Sequence, residues 1–209
     1  MANYFSSNFT LGILGGGQLG KMMLYETRKF DITTHVLDPS PEAPCRIACD
    51  YFTQGDLMDY DTVYTFGKKV DILTFEIEGV NIEALEALEK EGKKVYPSAK
   101  TLRNIQDKGV QKKFYDTHKI PTAPFSVFET IEKVKKAVAS GELKLPFVWK
   151  SCTGGYDGKG VQVIKNSQTL DVLPDCPCIT EDLVAFKNEL AVIVVRNPSA
   201  QVKTYPVVE

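Results

Sequence analysis

The sequence predicts an α/β protein in two parts, a parallel sheet covered by helices and then the first part of an α+β domain. Three observations carry this. Up to Ser98, short apolar runs alternate with helix-length stretches, the signature of a parallel sheet with crossover helices. After Ser98 the texture changes to paired helices, a proline-punctuated connector and a series of strands. A glycine-rich segment then joins two strands, where a phosphate cradle of the usual kind would join a strand to a helix.

Residues 10–14 (TLGIL) form an apolar run of buried-strand length, followed by Gly15-Gly16-Gly17 and a helical stretch over residues 18–30. Leu19, Met22, Met23 and Phe30 are expected on the inner face of that helix. Residues 33–37 read as a second strand closed by Asp38-Pro39, and residues 51–53 as a third. A helix is expected over residues 60–68 and a strong strand over 71–75. Asn81 is placed to cap a helix over 82–91. Residues 94–96 make one more strand, ended by Pro97.

Beyond Ser98, helices are expected over 98–104 and 107–118, then an extended connector, Ile120-Pro121-Thr122-Ala123-Pro124. A strand (124–128), a helix (131–140) and a strand (147–150) precede the loop from Thr153 to Gly160, which enters a strand over 161–165. Residues 179–180, 190–196 and 202–208 read as further, antiparallel strands. The corresponding division is residues 1–106, 107–186 and 187–209.

Bulk properties narrow the function. The 209 residues carry a formal net charge of -2 with no basic stripe or tail, which argues against a nucleic-acid partner. No apolar run approaches the roughly 18 residues that span a bilayer, and the N-terminus lacks a signal-peptide pattern. The five cysteines match neither a zinc pattern nor a redox CxxC, so they read as reduced thiols of a cytoplasmic protein.

Two glycine loops carry the chemistry. Gly15, Gly17 and Gly20 form G-x-G-x-x-G between a strand and a helix, with Asp38 near the end of the next strand. That is close to a dinucleotide fingerprint. A tight turn with no ligand explains the same glycines, and Pro39, Pro41 and Pro44 make an unusual edge for a ribose. The second loop is Thr153-Gly154-Gly155-Tyr156-Asp157-Gly158-Lys159-Gly160, with Lys150 at the end of the preceding strand. Abundant amides and two ammonium groups suit a polyphosphate. It is not a Walker A loop, and a solvated hairpin is the plain alternative. Glu181-Asp182-Leu183-Val184 and Glu189 add carboxylates and backbone edges that suit a purine and a ribose; alone they are ordinary surface acids.

These blocks, together with Thr74-Phe75-Glu76-Ile77-Glu78 and Gln106-Asp107-Lys108 with Gln111-Lys112, resemble the ATP-grasp superfamily, and within it the ATP-dependent carboxylases of aminoimidazole ribonucleotide. The resemblance runs from residue 12 to the end. It implies a pre-ATP-grasp, Rossmann-like domain followed by the first part of an ATP-grasp domain. It implies ATP and Mg²⁺ as cofactors, with aminoimidazole ribonucleotide and bicarbonate as substrates joined through carboxyphosphate. Lys108 and Lys150 would meet ATP phosphates; Gly154, Gly155, Tyr156, Asp157, Gly158, Lys159 and Gly160 would form the lid. Glu181, Asp182, Leu183 and Val184 would hold adenine, and Glu189 the ribose. Gly15, Gly17, Gln18, Leu19 and Gly20, with Glu76 or Glu78, would face the ribonucleotide. Lys108 stands where the family's common motif has arginine, which keeps the charge and loses the bidentate fork. Cys152 stands beside the cationic site, where an inert thiol is the expectation.

The family's metal-binding residues have no counterpart in the sequence. The catalytic residues are therefore expected beyond Glu209, and this chain by itself is expected to be an incomplete catalytic unit. The resemblance further implies a homodimer and a mutase partner. Alternatives are another ATP-grasp ligase, such as a formate-dependent glycinamide ribonucleotide transformylase, an NAD-binding oxidoreductase built on the first loop, and a non-catalytic nucleotide-binding module.

Overall fold

The computed structural model describes residues 6–155 and 160–209. The first part is a parallel five-stranded sheet: β1 (Thr10–Leu14), β2 (Thr33–Asp38), β3 (Tyr51–Gln54), β4 (Ile72–Phe75) and β5 (Lys94–Val95). Their order is β3-β2-β1-β4-β5. The chain starts in the middle, winds outward to β3, then crosses to β4 on the other side of β1. The strand order therefore reverses between β1 and β4, and a crevice opens there at the carboxyl ends of the strands. Gly15 follows β1 and Glu76 follows β4, so both lie at that crevice.

Four helices cover the sheet: α1 (Gln18–Thr27), α2 (Tyr60–Lys68), α3 (Ile82–Lys90) and α4 (Ala99–Gln106). Side-chain oxygens at three of their N-termini satisfy amides that no helical carbonyl reaches. Asp59 Oδ1 accepts from Thr62 N at 2.8 Å, Asn81 Oδ1 from Ala84 N at 2.8 Å and Ser98 Oγ from Thr101 N at 3.3 Å. Adjacent residues of the central strands are buried on opposite faces. Leu14 and Leu37 join a core with Phe66, Leu73, Leu85 and Leu88, while Ile13 and Val36 pack with Leu24 and Cys45. Burial on both faces is what makes these strands read as continuous apolar runs.

Helix α1 departs from expectation. Leu19, Met22 and Phe30 are exposed, and the buried residues are Gly20, Leu24 and Thr27. The cause is Gly20: a Cβ there would come within 3.0 Å of both Cys45 Sγ and Gly15 O. The helix is seated on its glycine, and that contact turns Leu19 and Met22 outward. A short 3₁₀ turn, Arg28–Phe30, ends the stretch.

The second part is a four-stranded antiparallel sheet of order β6-β9-β7-β8, formed by β6 (Phe125–Phe128), β7 (Phe147–Ser151), β8 (Val161–Ile164) and β9 (Cys178–Asp182). The glycine segment is the hairpin connection between β7 and β8. Along β7 the side chains alternate. Phe147 and Trp149 enter a core with Ile131 and Val134 of α6 (Ile131–Ala139), Ile164 and Cys178. Lys150 points the other way, towards α5 (Lys108–Thr117). Two short strands, β10 (Val194–Arg196) and β11 (Val202–Thr204), pair antiparallel, with an isolated bridge between Ala191 and Val208. They are shorter than the runs 190–196 and 202–208 expected from composition, and they are exposed throughout. Among the described residues no helix is long and apolar enough to cross a membrane.

Candidate functional site

At the β1–β4 crevice the glycine loop is held by the sheet. Gly15 takes φ +95°, and a Cβ on it would lie 2.9 Å from Glu76 Cγ, so only glycine fits both conformation and space. Gly15 N donates to Leu37 O at 2.9 Å, Gly16 N to Asp38 Oδ2 at 2.7 Å and Gly17 N to Glu76 Oε1 at 2.9 Å. Asp38 Oδ1 also accepts from Ser40 N. Both carboxylates are thus engaged by the loop and its flank. An Asp38 used this way is poorly placed to hold the hydroxyls of a dinucleotide ribose, which weighs against the oxidoreductase alternative. The first turn of α1, with Gln18 and Leu19 exposed, is the open end of the loop. Glu76 is half-buried against it, whereas Glu78 is exposed and its backbone carbonyl accepts from Gln106 Nε2.

The second cluster lies between α5 and the antiparallel sheet. Asp107 caps α5, its Oδ1 accepting from Val110 N at 3.0 Å. Lys108 N donates to Cys152 O at 2.8 Å, which fixes the start of α5 to the end of β7. Gly109 makes that approach possible, since a Cβ there would be 3.2 Å from Cys152 Sγ. Lys108 Nζ then reaches Gly155 O at 3.3 Å, at the glycine hairpin. Gly160, at φ +70°, closes the described end of the same hairpin, its carbonyl accepting from Ser151 N at 2.9 Å. Tyr156, Asp157, Gly158 and Lys159 lie outside the described residues.

Glu181 sits at the centre of this cluster, buried on β9. Lys150 of β7 bonds its Oε2 and Lys112 of α5 bonds its Oε1. Burial pushes the Glu181 carboxyl up. The hydrogen bonds and charges of the two lysines outweigh it, and the group is held below the ordinary carboxylate value. Lys112 also donates to Thr122 Oγ1 and lies over the Phe125 ring, 5.6 Å from its centroid. Asp182, Leu183 and Val184 follow as the chain leaves the sheet; Asp182 N donates to Pro124 O, and Leu183 and Val184 are exposed. Glu189 is exposed, and among the described residues no hydrogen bond or ion pair ties it to the cluster. Burial pushes the Cys152 thiol up, which leaves it protonated and unreactive at neutral pH.

Sequence reasoning assigned no role to Lys112 or Thr122. The available signal was spacing: Lys108 and Lys112 stand one helical turn apart and share a face of α5. Among the described residues no group of three or more His, Cys, Asp or Glu is placed to hold a metal ion.

Comparison with known proteins finds two successive domains. Residues 9–106 match the ribonucleotide synthetase preATP-grasp domain, and residues 113–209 match the ATP-grasp domain. The N5-carboxyaminoimidazole ribonucleotide synthase of Bacillus subtilis is 36% identical over 203 residues, covering 95% of this chain and 53% of that protein. Among solved structures, the carboxyaminoimidazole ribonucleotide synthase of Aspergillus clavatus complexed with ATP superposes with a TM-score of 0.86 at 33% identity, covering 95% of this chain and 53% of that one. The A. clavatus enzyme in complex with ADP and 5-aminoimidazole ribonucleotide gives 0.84 at 32% identity, covering 98% and 54%. The chain therefore spans about half the length of these relatives.

Proposed function

Because the chain belongs to the ATP-grasp superfamily and carries a ribonucleotide synthetase pre-ATP-grasp domain ahead of its ATP-grasp residues, we propose that it serves the ATP-dependent carboxylation of 5-aminoimidazole ribonucleotide in purine biosynthesis. An oxygen of bicarbonate takes the γ-phosphoryl group of ATP, giving carboxyphosphate and ADP. The exocyclic amine of the ribonucleotide then takes the carboxyl group and phosphate leaves. The product is 5-(carboxyamino)imidazole ribonucleotide.

The observation that carries this reading is the convergence of Lys108 and Lys150 on one side of a glycine hairpin, beside the end of β9. On it, Lys150 and Lys108 hold phosphate oxygens, and Gly154, Gly155 and Gly160 belong to the cover that keeps water from carboxyphosphate. Glu181 to Val184 receive the adenine where the strand ladder stops, and Glu189 the ribose. Asp38 and Glu76 already hold the amides of Gly16 and Gly17. The 5′-phosphate of the ribonucleotide is therefore assigned to the first turn of α1, at Gln18, Leu19 and Gly20, where the helix terminus favours an anion. Glu76, more than Glu78, is placed to meet the rest of that substrate. Mg²⁺ would accompany the triphosphate and neutralise its charge; the described residues do not form a site for it, and we give it no ligand among them. The five free thiols suit the reducing cytoplasm. A homodimer and a mutase partner for the product rest on the resemblance alone.

The test is thermal unfolding of the chain with Mg-ATP, NAD and aminoimidazole ribonucleotide in turn, each beside Lys150→Ala. A ligand at a hundredfold excess over its Kd stabilises the native state by about 2.7 kcal/mol. A shift with ATP that is lost in Lys150→Ala, and one with the ribonucleotide that is kept, support the reading. A shift with NAD alone overturns it.

A further inference from the structure

We infer that Lys112 is a positioning residue whose charge is spent on Glu181 so that the ammonium of Lys150 stays in excess and faces the nucleotide phosphates. The inference rests on the nucleotide reading of this site and deepens it.

Charge balance and burial separate the roles of the two lysines. Lys112, Glu181 and Lys150 together carry one net positive charge. Their side chains are 9%, 7% and 29% exposed respectively, so the outermost member is Lys150. Lys112 has its donors engaged inside: Glu181 Oε1, Thr122 Oγ1 and the face of Phe125. It is closed off from any phosphate. Phe125 pairs with Glu181 across β6 and β9, so the pocket around the Lys112 ammonium is built from the same ladder that fixes the carboxylate. Lys150 has only Glu181 Oε2 as a partner among the described residues.

Without Lys112 the remaining pair would be neutral. One buried carboxylate oxygen would be unpaired, and among the described residues Lys150 would be the one cation still bonded to that carboxylate. A group left buried and uncompensated takes the nearest partner available. The ammonium meant for phosphate would then be drawn inward onto Glu181. The defect should appear in recognition of phosphate and not of adenine, which the backbone from Glu181 to Val184 receives and which a side-chain change at residue 112 or 181 leaves in place.

The test compares ADP and adenosine binding, by calorimetry on the 209-residue chain, in the unaltered protein, Lys112→Met, Lys112→Arg and the double variant Lys112→Met/Glu181→Gln. The unaltered chain should prefer ADP. In Lys112→Met the preference should fall roughly tenfold, the size expected for one charge-assisted contact, with adenosine affinity kept. Lys112→Arg should retain most of it. The double variant restores one net positive charge, borne by Lys150 alone, and should recover the ADP preference. It replaces a buried ion pair by neutral groups, a change that proteins commonly tolerate, so it remains informative if the single variant fails to fold. Equal loss of ADP and adenosine binding, or a double variant that folds and shows no recovery, would mean that Lys112 only supports the structure and would overturn the inference. An unaltered chain with no preference for ADP removes the nucleotide reading and the inference with it. A preference that survives in Lys112→Met removes the inference alone.

Discussion

Replacing Glu181 by Gln tests the cluster as a structural element. The carboxylate is 7% exposed and meets an ammonium at each oxygen; one of these, on Lys112, is itself 9% exposed. Removing one partner of a buried ion pair costs about 3–5 kcal/mol, because a charge is left uncompensated. The lower end applies here. Lys150 is partly exposed and can turn to water, and Thr122 and Phe125 still hold Lys112. We therefore expect a loss of about 3 kcal/mol at neutral pH. With a urea slope of about 2 kcal/mol/M, the midpoint falls by roughly 1.5 M. Trp149, the only tryptophan, is buried on β7 in the same sheet, so its fluorescence follows unfolding of this sheet. The pH dependence has a definite sign. The lysines hold Glu181 below its unfolded value of about 4.3, so its contribution is complete above that value and disappears as pH falls through the folded pKa. The gap between the unaltered chain and Glu181→Gln should be full at pH 7 and close on acidification. An unchanged midpoint at pH 7, or a gap that widens in acid, would refute the reasoning.

Three further outcomes are expected. Gly15→Ala must accept φ +95° and a Cβ 2.9 Å from Glu76, which should cost about 1–3 kcal/mol in a circular-dichroism melt and abolish stabilisation by the ribonucleotide, while the Trp149 midpoint stays in place. Asn81→Ala loses the Ala84 cap and the bond from Nδ2 to Met58 O, about 1–2 kcal/mol; Asn81→Asp keeps the first and should fall between in the same melt. Alkylation of the native chain, mapped by peptide mass, should reach Cys49 and Cys176 before Cys45 and Cys178. The last two are fully buried, and burial pushes each thiol up to about 11; early labelling at Cys45 would contradict its packing against Gly20.

The legibility of the fold follows from how each element is stabilised. Strands buried on both faces, such as Thr10–Leu14 and Ile72–Phe75, appear as bare apolar runs between turn residues, and helices α2 and α3 carry their caps in the sequence at Asp59 and Asn81. Apolar periodicity misplaces the inner face of α1, because apolar side chains mark a buried face only when they seat the helix. Here a missing side chain does so, and Gly20 is silent in any count of hydrophobic periodicity. In the site, Lys150 and Glu181 are visible because they flank a glycine loop and a strand end, whereas Lys108, at the start of a helix, is reached only through the family resemblance. Lys112 stands in a block that carries the resemblance, but its role is not legible there, since a lysine one turn along a polar helix has no stated partner until the sheet opposite supplies Glu181, Thr122 and Phe125.

The first glycine loop shows the converse limit. The spacing of Gly15, Gly17 and Gly20 specifies a backbone path, a tight turn with a positive φ and a helix packed closely on its strand, and the structure has that path. It does not specify what occupies the loop. A dinucleotide pyrophosphate needs the loop amides and a ribose-binding acid at the next strand end. Asp38 and Glu76 instead accept from Gly16 N and Gly17 N with their own oxygens, placing negative charge where the pyrophosphate would sit. On the proposed reading, the single phosphate of a smaller ligand is met by the first turn of α1, beyond the two amides held in this way. The glycines therefore report the fold, and on the proposed reading it is the acids closing over them that favour a ribonucleotide over a dinucleotide.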